Sequence, residues 1–195
     1  MFTFFYRLSR LMAYAGGTVL TALIVLTCLS ILGRQLNTIG HLDWVTTNLP
    51  WLRTFLLDRI GVNEINGAYE LTEAGMAFVI FAFIPLTQIT AGHAVVDIFT
   101  SMMGPKATRL LQTIAEVLFA TAMILIAVQL FAGMISKKET GQTSLFLQFP
   151  VWWAYAASLT GAAVSALVAT YVAIIRVFEA VTGQDLLPLS TGAEH

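Results

Sequence analysis

Two pairs of residues stand where they can act on protons or cations. Glu70 and Glu73 are three residues apart, so on a helix their carboxylates share one face. Paired carboxylates at a membrane boundary can bind a cation or relay protons. The same two charges can equally support a helix start, where the macrodipole favours negative groups. His93 and Asp97 are four apart and meet if a helix runs through both. Such a pair can bind a metal or move a proton, or it can bond internally and fix a turn. A zinc site needs three or four ligands, and the other histidines, His41 and His195, lie far along the chain. No phosphate loop, nucleophile triad or metal constellation accompanies these pairs, so no catalytic, metal or cofactor-binding residue is expected.

The elements that position these residues are apolar and long. Four stretches, near 11–33, 69–92, 110–135 and 151–175, carry almost no charge. Each is long enough to cross a bilayer as a helix, which takes about 20 residues. The chain of 195 residues is 57% hydrophobic and only 11% charged, with a mean hydropathy of +0.80. Charge is excluded from Leu11 to Gly33, Ala74 to Gly92, Val117 to Ser136 and Thr140 to Ile175. The cost of placing charge in hydrocarbon explains those gaps. The expected fold is an all-α integral membrane protein forming one domain over 1–195. A net charge of −1 gives no electrostatic footprint for nucleic acid. Arg7 and Arg10 precede a first apolar run too long for a signal-peptide core, so that helix is expected to be retained. Cys28, the lone cysteine, is expected to pack as an apolar residue within it.

Between the first two spans, Leu42, Val45, Leu49, Leu52, Leu56 and Ile60 recur at steps of three and four. This is the pattern of an apolar helix face. With Pro50 restarting the helix, an amphipathic segment is expected near 50–60, lying on the membrane surface or on the protein's own spans. Basic residues are evenly split between the two sides, and only Arg7 and Arg10 favour a cytoplasmic N-terminus. Four spans then return the C-terminus to the same side.

Within the spans, Pro85 should free a carbonyl and kink the second helix. Gln88 and the neighbouring threonines can line a path or bond to another helix. Glu116 is expected to pair with Arg109 or Lys106. Small residues form ladders at Ala157, Gly161, Ser165 and Ala169, and at Ala13, Gly17 and Thr21. Such ladders let backbones approach in lipid. Trp152 and Trp153 follow Pro150 as an interfacial anchor. Haem between spans would need histidines on two facing helices, and only His93 is placed at the end of one.

Glu70-Leu71, followed by an apolar span and then His93, Val96 and Asp97, resembles the small membrane subunit of tripartite ATP-independent periplasmic (TRAP) transporters, the DctQ-like family. Ala94 replaces that family's usual isoleucine, and Tyr69 stands where a second glutamate is common. Gly141, Gln142 and Thr143, then Leu147, Pro150, Trp152, Trp153 and Gly161, are similar to the family's loop into its fourth helix. The long first loop departs from shorter family versions. The resemblance implies an accessory subunit of the bacterial inner membrane, with both termini cytoplasmic. It implies a stable pairing with a large elevator-type membrane subunit and transient contact with a periplasmic substrate-binding protein. Uptake of an organic acid would be coupled to sodium ions held by the large subunit, with no cofactor in this chain. Glu70, Glu73, His93, Asp97, Gly141, Pro150, Trp152, Trp153 and Gly161 become expected structural or partner-contact residues. The alternatives from other classes are the membrane anchor of a redox complex and a small independent channel or carrier.

Overall fold

The computed structural model describes residues 2–42, 47–49, 51, 54–55, 65–90 and 105–182. These residues form four helices, α1 (Phe2–Gly40), α2 (Ala68–Ile89), α3 (Pro105–Thr140) and α4 (Trp152–Thr182). All four are long and apolar enough to cross a membrane. The expected amphipathic segment near 50–60 lies almost wholly outside the described residues, as do His93 and Asp97.

The helices outrun the expected spans. At about 1.5 Å per residue, the 39 residues of α1 reach about 58 Å and the 36 of α3 about 54 Å. Hydrocarbon is only about 30 Å thick. Charge ends a span without ending a helix, so Arg7, Arg10, Arg34, Lys137 and Lys138 all lie on helical turns. The first ten residues have a packing role: the Phe5 ring stacks on Tyr171 of α4 at 4.3 Å.

In space the helices run α1, α2, α4, α3: α1 packs on α2, α2 on α4, and α4 on α3, while α1 meets α4 through its N-terminal aromatics Phe2, Phe5 and Tyr6. The two inner members are the more buried. In the most apolar window of each helix, 44% of α4 residues are buried, against 11% in α1 and in α3. Sequence explains why α4 can hold the centre. Its buried positions include Gly161, Ala162, Ser165, Ala166, Ala169 and Ala173, whose small side chains admit helices on two sides. The outer faces of α1 and α3 expose Val25, Leu29, Leu118 and Leu125, which suits hydrocarbon.

Three details differ from expectation. Cys28 is exposed on the outer face of α1, because α2 covers only the opposite side. On α1 the close approach is made at Gly16, where an added Cβ would fall 2.9 Å from the Ala82 Cβ; Gly17 faces open space. The buried line on α1 is Ser9, Gly16 and Leu23, at heptad spacing, and Ala13, Gly17 and Thr21 lie off it. On α4 the ladder holds at Gly161, Ser165 and Ala169, whereas Ala157 is exposed on a groove.

Candidate functional site

The residues singled out in sequence converge at the N-terminal end of α2. Gly67 enters the helix with φ 81°, a left-handed conformation that glycine adopts without penalty. A Cβ there would collide with Leu147, 2.3 Å from its Cγ. One turn later the Glu70 carboxylate reaches the connection between α3 and α4. Its Oε1 accepts the Phe146 amide at 2.8 Å and its Oε2 the Leu147 amide at 3.0 Å. Glu70 therefore acts across 76 residues of sequence and captures a loop, where local logic offers only a helix cap.

That loop is built to be captured. Gly141 ends α3 at φ 62°. Thr143 and Pro150 then form an antiparallel bridge. The Ser144 amide donates to the Phe149 carbonyl at 2.9 Å, and the Val151 amide to the Gln142 carbonyl at 3.0 Å. The tight turn between them puts Gln148 at φ 54°, which costs a non-glycine residue roughly 1–2 kcal/mol. Lys137 donates to the Gln142 side chain at 2.6 Å, and Lys138 lies 5.6 Å from the Trp152 ring centre. Trp152 and Trp153 meet edge to face at 6.1 Å, with Trp153 exposed. Glu70, Gly141, Pro150 and Trp152 thus belong to one clasp joining α2, α3 and α4. Glu73 stays outside it and lines an adjoining cavity of about 870 Å³.

Gly161 serves a second joint, nearer the middle of the bundle. Pro85 lacks an N–H, so the Phe81 carbonyl one turn earlier has no donor within α2. Ser165 of α4 supplies one, its hydroxyl lying 2.8 Å from the Phe81 oxygen and 2.9 Å from the Gly161 carbonyl. Gly161 makes the approach possible, since a Cβ there would sit 2.9 Å from the Phe81 Cβ. The helix runs on through Pro85 because its freed acceptor is filled from a neighbouring helix.

The C-terminal end of α2 holds a third joint. Gln88, 1% exposed, donates its side-chain amide to Glu116 on α3. Thr87 and Thr90 bond back to carbonyls of their own helix, at Ile84 and Leu86. Thr113 donates to the Arg176 carbonyl at 3.3 Å, and Arg176 pairs with buried Glu179 at 2.9 Å. Sequence reasoning raised Gln88, Glu116 and Ser165 separately; it missed which of them meet, and it missed Gly67 and Gly16. The proline four residues after Phe81 was the one local signal that an interhelical donor was needed.

Chemically, these polar groups join helix to helix. Among the described residues, no three His, Cys, Asp or Glu side chains gather to hold a metal. A family model described as the DctQ component of tripartite ATP-independent periplasmic transporters matches residues 23–180. No curated protein and no solved structure matches the chain.

Proposed function

Because the chain belongs to the DctQ family, the small membrane component of TRAP transporters, we propose that it braces the large membrane component while that partner moves the substrate. The chain is a multi-pass membrane protein and a transporter component, not an enzyme. The observation that carries the bracing role is how the bundle uses its polar groups. Glu70, Ser165 and Gln88 each fasten one helix to another element of the same chain. A brace needs fixed helices and a wide lipid-compatible face; a transport route needs polar groups left free along its length.

In this reading the large component is of the elevator type and binds both the sodium ions and an organic acid. A periplasmic binding protein delivers that acid. The chain resides in the inner membrane with both termini cytoplasmic, so the Glu70 clasp faces the periplasm. Glu70, His93 and Asp97 contribute contacts to the partner. Affinity purification of the tagged chain from native membranes tests this. A much larger multispan protein should come with it in fixed ratio, and deleting the chain should abolish uptake. A chain that purifies stable and alone, with uptake unaffected by its deletion, contradicts the reading. Replacing His93 by alanine should lower complex yield more than substrate affinity.

A further inference from the structure

We infer that the cavity beside the Glu70 clasp is a binding site for a phospholipid headgroup carrying a primary ammonium. The cavity, about 870 Å³, is roofed by the α3–α4 connection and walled by the first turns of α2 and α4. It starts at the level of Trp152 and Trp153, residue types that mark the membrane interface. Ser158, on its wall, is six residues beyond Trp152, about 9 Å deeper along the helix axis. Leu130 of α3 closes its far side. Residues of α2, α3 and α4 all line it, and α2 is joined to α3 toward the other end of the bundle, through Gln88 and Glu116.

Three features define what fits. First, Glu73 brings a carboxylate to the wall and makes no hydrogen bond or ion pair with another described residue. Glu70, by contrast, has both oxygens committed to backbone amides. Among the described residues no basic side chain lines the cavity, so its interior favours a cation. Second, one hydroxyl on the wall is left over. Ser158 is 3% exposed and bonds to no other described residue. Ser144 is turned to the Glu70 carboxylate, so it is not available to an occupant. A buried hydroxyl is costly unless it finds a partner, so the cavity calls for an occupant with acceptor oxygens. Third, Ala77, Leu130 and Ala154 make the rest of the wall apolar.

A phosphoethanolamine headgroup meets all three requirements. Its ammonium donates to Glu73, a phosphate oxygen accepts from Ser158, and its acyl chains leave along the apolar wall. Lys137, held at the rim by Gln142, adds positive charge near the phosphate. A quaternary choline fits less well, because it offers Glu73 no N–H and the Tyr155 ring is packed against Gly133. The site does not depend on the transport role.

The test uses the full chain, with any partner that co-purifies, in nanodiscs of equal phosphatidylethanolamine and phosphatidylglycerol, and reads retained lipid by native mass spectrometry. Wild type should hold phosphatidylethanolamine about fivefold over phosphatidylglycerol, the upper range for a partly solvated charge pair. Glu73→Gln should bring the ratio near one, while Glu139→Gln, at the exposed end of α3, leaves it unchanged. Wild type offered N-methylated ethanolamine lipids should retain less with each N–H lost, an arm that needs no variant to fold. Equal retention of the two lipids by wild type, as a water-filled cavity gives, overturns the inference. So does a preference that survives Glu73→Gln.

Discussion

Replacing Ser165 by alanine removes one oxygen at the joint between the two inner helices and changes little else. The oxygen lies 2.8 Å from the Phe81 carbonyl, an acceptor that Pro85 has stripped of its helical donor. Interhelical hydrogen bonds in membrane proteins contribute about 0.6 kcal/mol on average and about 1.7 at most. This bond belongs near the upper end, because Ser165 is fully buried and the carbonyl has no donor of its own helix to return to. A loss of about 1–1.5 kcal/mol is expected, measured by equilibrium unfolding in mixed micelles. The origin of that cost can be isolated. Pro85→Ala restores an N–H four residues after Phe81, so in that background Ser165→Ala should cost only a few tenths of a kcal/mol. The coupling between the two sites should therefore approach about 1 kcal/mol. If Ser165→Ala costs the same in both backgrounds, the proline-freed carbonyl is not what the serine serves, and the explanation of this joint fails.

The other expectations are each tied to one contact. Glu70→Ala should release the α3–α4 connection, seen as faster hydrogen exchange at the Phe146 and Leu147 amides while α4 exchange near Ser165 is unchanged. Gly16→Ala should destabilise by about 1–3 kcal/mol through overpacking against Ala82, whereas Gly17→Ala should be neutral or gain up to about 1 kcal/mol of helix propensity. Thermal melting of the pair separates them, and equal effects would mean α1 is rotated from the face described. Gln148→Gly should raise stability by about 1 kcal/mol by relieving its positive φ; no gain would show that the turn relaxes at no cost.

What could be read in sequence follows from the range of the physics involved. The four crossings were legible because burying charge in lipid is costly at every position, so the gaps in charge mark them directly. Gly161, Ser165 and Ala169 were legible as a packing face because α4 is lined by small residues on both sides. The choice between Gly16 and Gly17 was not, since adjacent glycines sit on two plausible ladders and only the crossing with α2 selects one. The helix ends were missed at Arg7 and Lys137 because hydropathy reports where lipid stops, and backbone hydrogen bonding carries on into water. Glu70 was recognised as significant, yet its partners at Phe146 and Leu147 are a consequence of the whole bundle. That Gln88 of α2 donates to Glu116 was not legible, because only the packing of the helices brings the two together.

Reconstitution of transport tests the central claim most directly. Vesicles holding this chain and the large membrane component, supplied with the binding protein and a sodium gradient, should accumulate the organic acid. Omitting this chain should stop accumulation, and vesicles holding it alone should pass no solute. Solute flux through vesicles of the chain alone, or full uptake in its absence, contradicts a role as a brace.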